Sequence, residues 1–217
     1  MPLFYQQDMH EIGRLGVWRI TEEEAFFLDK VPLQREITHP HKRLQHLAGR
    51  YLLQTLYHDF PYELIRIADT RKPYLDNEAY HFSISHSGDF AAAFVSPFVR
   101  VGVDVEEATP QVLRVIHKFL HEEEQAWYER EKPGFDREHP DQGPFGLATL
   151  LWSAKESVYK WYGKGGIDFR EVIRMEGFPS EDVMAIRFMK GKGRSLRLGY
   201  RSWDRLCLTW VHGDHTG

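Results

Sequence analysis

HFSISHSGDFAAAFVS, His81 to Ser96, followed closely by RVGVDVE, Arg100 to Glu106, decides how this chain folds. Side chains alternate across a strand, so Phe82 and Ile84 point one way while Ser83 and Ser85 point the other. Ser87, Gly88 and Asp89 supply turn chemistry, and the apolar run after them reads as a returning strand. The third segment alternates cleanly. Val101, Val103 and Val105 share one face, and Gly102, Asp104 and Glu106 share the opposite one.

Outward from these strands the periodicity changes to that of helices. Upstream, Val17 to Ile20 reads as a strand, and Thr21 with Glu24 three residues on reads as a capping box opening a helix through Leu28. From Pro40 to Tyr57, Leu44, Ala48, Tyr51, Leu52 and Leu56 form an apolar stripe, with Arg43, His46 and Arg50 on a neighbouring one. RKPYL, Arg71 to Leu75, reads as irregular, because the residue before Pro73 is biased toward extended geometry. Downstream, Thr109 and Pro110 are placed as N-cap and first residue of a helix carrying Leu113, Ile116 and Leu120. Glu129 to Pro144, EREKPGFDREHPDQGP, has the charge, Pro and Gly content of a surface loop or insertion. LWSAKESVYKWYGKGG, Leu151 to Gly166, predicts a helix running into a glycine turn. Leu147, Leu150, Ala154, Val158 and Trp161 give it a core-facing stripe, and Trp152, Glu156, Tyr159 and Lys160 lie on the other side. Strands follow from Ile167, with Gly191 to Gly193 as a hairpin turn. The order of elements predicts an α+β fold with antiparallel sheets.

At 217 residues, 42% hydrophobic and 14% aromatic, the chain is long enough to bury a full core as one domain or two packed lobes. No apolar run approaches the roughly 18 residues that span a bilayer, and the N-terminus has no signal-peptide layout, so a cytoplasmic protein is expected. One cysteine, Cys207, agrees with a reducing compartment and reads as a buried small hydrophobe. A net charge of -4 argues against broad nucleic-acid binding. The 12 histidines form no zinc signature.

Asp104 and Glu106, two residues apart on one strand face, have backbones about 6.6 Å apart. Two carboxylates held together in a partly desolvated place repel unless a proton or a cation sits between them. A hard divalent ion, Mg²⁺ above all, fits that need, whereas two solvated acids at a strand end would need nothing. Glu156 and Lys160 at i,i+4 read either as an exposed ion pair or as one wall of a phosphate and metal site.

Four segments in order, RKPYL, FSISHSG, VGVDVE and WSAKESVYKWYGKG, resemble the signature series of the 4′-phosphopantetheinyl transferases, specifically their long, pseudodimeric class. The resemblance spans Arg71 to Gly165. Upstream, RLQHLAGRYLL is similar to the family's arginine-bearing helix. It implies two similar α+β lobes related by a pseudo-twofold axis, dividing into 1–107 and 108–217, with the site in the cleft between them. It also implies transfer of the 4′-phosphopantetheine group from coenzyme A to a serine of an apo acyl or peptidyl carrier protein, dependent on Mg²⁺ and releasing 3′,5′-ADP. Asp104, Glu106 and Glu156 would then be the metal ligands, and Lys160 would lie against the pyrophosphate, with Lys155 a second candidate. Ser85 and His86 resemble the family's phosphate contacts on coenzyme A. Lys72, Arg43 and Arg50 resemble its binders of the 3′-phosphate and adenine end. Either Glu156 or a metal-bound water would take the serine proton.

Position 71 is Arg where the family often has Gly, and the stretch 129–144 is longer than usual, so the adenine contacts and the choice of carrier do not carry over. Trp152 is explained equally by packing between lobes and by ligand contact. Lys190, Lys192, Arg194 and Arg197 read as a solvated hairpin or as a surface for acidic carriers. A monomer would enclose the whole site. The competing activity is a Mg²⁺-dependent phosphoesterase or pyrophosphatase acting on coenzyme A or a related nucleotide with water as nucleophile. A non-catalytic coenzyme A binder has little reason to keep the third carboxylate.

Overall fold

In the computed structural model, which describes residues 2–33 and 36–214, the alternation around His81 to Glu107 becomes the meeting place of two antiparallel sheets. The first sheet is built from β1 (Leu3–Asp8), β2 (Arg14–Arg19), β5 (His81–Ser87) and β6 (Phe90–Ser96), in the order β1-β2-β6-β5. The second contains β7 (Val101–Glu107), β8 (Ile173–Ser180), β9 (Val183–Phe188), β10 (Arg194–Trp203) and β11 (Leu206–His212), in the order β7-β11-β10-β9-β8. A two-stranded ribbon pairs β3 (Ile65–Ile67) with β4 (Pro73–Leu75). The α+β class with antiparallel sheets is as expected.

Four layers stack. Helix α2 (Pro40–Leu56) lays Leu47, Leu52 and Leu53 on Phe82, Ala91, Ala93 and Val95 of the first sheet. The opposite face of that sheet, with Leu15, Val17, Ala92 and Phe94, packs on Val101, Val103 and Val105 and on Leu206, Leu208 and Trp210 of the second. Beyond it lies α5 (Gly146–Tyr162), whose stripe of Leu150, Ala154, Val158 and Trp161 is buried against Ile173, Met184, Leu198, Cys207 and Val211. Gly102 lets α5 approach β7, because a Cβ there would sit 2.0 Å from the Ser157 carbonyl oxygen. Cys207 is buried, which pushes its thiol up to about 12.

Both β5 and β7 are edge strands, and they face each other. An unpaired strand edge needs its amides satisfied. Here serine hydroxyls of β5 do it: Ser83 Oγ accepts from Val103 N (3.1 Å) and Ser87 Oγ from Glu107 N (3.1 Å). Strand β7 thus hydrogen-bonds along its other edge to β11, within the carboxy-terminal sheet.

Several local expectations are corrected. The stretch 129–144 is not a loop: it continues α4 (Glu122–Glu138) and then a 3₁₀ segment, Pro140–Phe145. A capping box starts α4, with Glu123 N donating to His121 and Glu124 accepting from His121 N at 2.9 Å, and three glutamates lie in the first turn. Tyr128 anchors it on Phe119, Leu120, Leu147 and Leu151, so Pro133 is carried inside an already docked helix. Helix α1 (Glu24–Leu28) has no Thr21 cap. Its N-cap is Glu23, without a side-chain hydrogen bond, and the Glu24 carboxylate turns to Arg43. In α3 (Gln111–Phe119), Pro110 rather than Thr109 is the N-cap. Strand β1 was not expected, and part of RKPYL pairs as β4. A short helix, α6 (Phe169–Val172), follows α5. Among the described residues no helix is long and apolar enough to cross a membrane.

Candidate active site

The seam between β5 and β7, closed over by α5, gathers the charged residues of the motifs. Asp104 is buried on β7 and accepts from Ser85 Oγ at 2.7 Å and from Lys160 Nζ at 2.6 Å. Lys160 also donates to Ser85 Oγ at 2.8 Å. Three elements therefore meet in one triangle: the end of β5, the middle of β7 and the last turn of α5. The second carboxylate oxygen of Asp104 is buried without a hydrogen-bond partner. An orphaned buried carboxylate oxygen costs free energy unless something positive arrives to meet it.

Two residues along β7, Glu106 accepts from Ser87 Oγ (2.9 Å) and from the Trp152 indole (3.2 Å). Burial first, then the Asp104 charge, pushes its carboxyl up to about 7. Glu156, on the α5 face above, is raised to about 7 by burial and then by Asp104, with Lys160 opposing. The strand and helix spacings thus place both glutamates within electrostatic reach of Asp104. They do not form a preformed cage: among the described residues, no group of three or more His, Cys, Asp or Glu stands ready to hold a metal. What they offer is an all-oxygen donor set in which burial and the Asp104 charge favour the protonated form of two members, a condition a hard cation would relieve.

His86, next to last in β5, is an exposed residue. Desolvation and then Lys160 hold its imidazole below the ordinary value. Lys72 caps the other end of the wall. Its ammonium donates to the Lys160 carbonyl, an unpaired acceptor in the last turn of α5, and burial followed by Arg100 lowers it to about 8. Gly163 closes α5 in the left-handed conformation (φ 70), where a Cβ would lie 2.9 Å from Lys72 Nζ. Between these elements lies a cavity of about 210 Å³, lined by Thr70, Arg71, Lys72, Ile84, Tyr159 and Lys160. Arg71 has φ 65, a backbone conformation that favours glycine, which is the residue the family often has there.

Arg43 and Lys155 are not brought into the triangle. Arg43 makes a two-pronged pair with Glu24, at 2.7 Å and 2.8 Å, and donates to the Ile37 carbonyl. Arg50, on α2, is buried with its charge near Tyr62. Lys155 is buried on the far side of α5, donating to Glu124 (2.7 Å) and to the Phe119 (2.7 Å) and Ile173 (2.6 Å) carbonyls. The sequence reading missed Ser83 and Ser87, whose alternation with Ser85 on one strand face was the available signal. It left Trp152 undecided, and the indole bond to Glu106 now gives that residue a place beside the carboxylates.

The sequence profile of the 4'-phosphopantetheinyl transferase superfamily matches residues 100–209, from the start of β7 into β11 and through the whole of α5. The chain belongs to this superfamily. It is 31% identical over 121 residues to the 4'-phosphopantetheinyl transferase gsp of Aneurinibacillus migulanus, covering 55% of this chain and 46% of that protein. It is 27% identical over 130 residues to the L-aminoadipate-semialdehyde dehydrogenase-phosphopantetheinyl transferase of Mus musculus, covering 55% of this chain and 42% of that protein. Each match thus spans less than half of the relative's length. Membership gives the triangle a context: two of its three corners, Asp104 and Lys160, lie inside the matched segment, and Ser85 lies just outside it.

Proposed function

We propose that this chain transfers the 4′-phosphopantetheine group of coenzyme A to a serine of an apo acyl or peptidyl carrier protein, releasing 3′,5′-ADP. The observation that carries this reading is the Ser85, Asp104 and Lys160 triangle at the sheet seam, with Glu106 and Glu156 both raised to about 7 beside it. Such a site is under-neutralised by design, as a pyrophosphate and its counter-ion require.

Asp104, Glu106 and Glu156 would hold Mg²⁺, whose chemistry when bound is to neutralise and orient pyrophosphate oxygens. The serine Oγ of the carrier attacks the β-phosphorus. A new O–P bond forms there, and the bond from that phosphorus to the bridging oxygen breaks, so that 3′,5′-ADP departs with the electron pair. Glu156 would accept the serine proton. Lys160 offers its ammonium to the charge that grows on the departing group. Ser85 and His86 line the phosphate side and Lys72 the nucleotide side. Arg43 and Arg50 would serve the 3′-phosphate end, Arg43 only after releasing Glu24. Lys155 takes no part in binding, since its ammonium is spent internally.

Both walls of the site come from one chain, which supports a monomer, and the single buried cysteine supports action in the cytoplasm. The lobes 1–107 and 108–217 describe the division of functional residues along the chain, while the hydrogen bonding of β7 joins it to the second. The test is incubation with Mg²⁺, coenzyme A and a panel of apo carrier proteins, read by intact mass. The expected result is the mass of one phosphopantetheine group added to at least one carrier. No transfer across the panel, with coenzyme A cleaved by water, would replace this reading with the phosphoesterase.

A further inference from the structure

A second cavity, of about 270 Å³, shares Lys72, Pro73, Phe82 and Gly163 with the cavity beside Lys160 but includes none of the carboxylates, Ser85 or Lys160. Four basic side chains line it: Lys72, His81, Arg100 and Lys164, against the one carboxylate of Glu78. Lys72 is hydrogen-bonded to a neutral carbonyl, and neither Arg100 nor Lys164 is in an ion pair among the described residues. In a chain of net charge -4, four basic side chains around one carboxylate are more than composition alone would place there. Like charges brought together around a concave, partly apolar wall raise the free energy of the ligand-free protein, and an anion entering the cavity relieves it. Between the charges the wall is apolar and aromatic, with Leu75, Tyr74 and Tyr80.

We infer that this cavity is a binding site for a phosphate monoester on an aromatic group, adjoining the transfer site across Lys72 but distinct from it, with the phosphate held by Arg100 and Lys164 and the ring against the tyrosines. A guanidinium presents two parallel N–H donors that match two phosphate oxygens, and a flat apolar group fits the aromatic wall. Lys72 stands between the two cavities, so an anion here would also favour its protonated form, which burial and Arg100 now oppose.

Calorimetric titration with phenyl phosphate, and separately with inorganic phosphate, tests this on the full chain. Phenyl phosphate is expected to bind, and more tightly than inorganic phosphate. Arg100→Gln and Lys164→Gln should each weaken it about tenfold, Arg100→Lys should weaken it less than Arg100→Gln, and Lys160→Ala should leave it within about twofold. Lys164 is exposed, so its variant keeps the test standing if Arg100→Gln fails to fold. Absence of binding at millimolar phenyl phosphate overturns the inference. So does binding that survives Arg100→Gln and Lys164→Gln but is lost in Lys160→Ala, which would put the ligand in the transfer site. Equal affinity for the two probes would overturn the aromatic part.

Discussion

Lys155 and Glu156 are neighbours on α5, yet they stand in opposite conditions. The Lys155 ammonium meets one carboxylate and the Phe119, Phe169 and Ile173 carbonyls. Its partner Glu124 also accepts from Met175 N at 2.7 Å and His121 N at 2.9 Å. That hub ties α5 to α4, to the end of α3 and to β8. Glu156 has no hydrogen-bond partner among the described side chains, and its carboxyl is raised to about 7. Successive helical residues point about 100° apart, so one helix can carry a finished joint on one side and an unfinished site on the other. A group with every hydrogen bond made belongs to the scaffold. A group left wanting in a cleft is where a ligand completes the structure.

The sharpest way to break this comparison is to empty the hub. Lys155→Ala leaves the buried Glu124 charge uncompensated and should cost about 3–5 kcal/mol in urea unfolding. Lys155→Met fills the volume but not the charge, so it should remain well below the parent, whereas Lys155→Met with Glu124→Gln should recover much of the loss. A loss under about 1 kcal/mol for Lys155→Ala would mean that the lysine is not structural and would reopen its place as a phosphate contact.

The opposite result is expected at the cleft. Asp104→Ala and Glu156→Ala should each lower phosphopantetheine transfer by a factor of about 10²–10³ or more, with the folded state kept, as circular dichroism and thermal unfolding would show. Near-normal rates in either variant would misplace the metal site.

The pH dependence of stability separates the two regions further. Glu106 and Glu156, at about 7 in the folded chain against an ordinary value of 4.5, bind more protons folded than unfolded between those limits. Their contribution is present in full below 4.5 and is lost as pH rises through 7. Thermal unfolding of the metal-free protein should therefore show a fall in Tm between pH 5 and pH 8, and Glu156→Gln should flatten it. Added Mg²⁺ should restore stability at pH 8 more than at pH 5, since protons compete with the cation for the same oxygens. A Tm that rises steadily from pH 5 to pH 8 would contradict the raised carboxyls.

Much of the site could be read from sequence because period and order are local properties. The apolar stripe from Leu147 to Trp161 fixed which side of α5 is core, and so put Glu156 and Lys160 on the other side. The valines of β7 did the same for Asp104 and Glu106. What could not be read depends on partners far along the chain. No pattern around Lys155 announces Glu124, which sits 31 residues away. The Ser83, Ser85 and Ser87 alternation was visible, but not that an edge of another sheet would need those hydroxyls. In α4 the error has a different origin: Pro133 and Gly134 are local breakers, and tertiary docking of Tyr128 outweighed them.

Arg43 offers the finest test, because it lies between the two conditions. It resembles a binder of the 3′-phosphate, yet it is already in a two-pronged pair with Glu24. The pair is only partly buried, so solvent and salt still reach and screen it, and removing it should lower Tm little. If Arg43 must leave Glu24 to reach a phosphate, binding of coenzyme A includes breaking that pair, and Glu24→Ala should tighten it on the order of threefold. Arg43→Ala should weaken it in the same assay, and by less at high salt. The double variant should then match Arg43→Ala alone, since the glutamate acts only through the arginine. Tightening by Glu24→Ala in the absence of Arg43 would instead mean that the glutamate repels the phosphates directly. Arg43 would then belong with Lys155, as a group whose bonds are made.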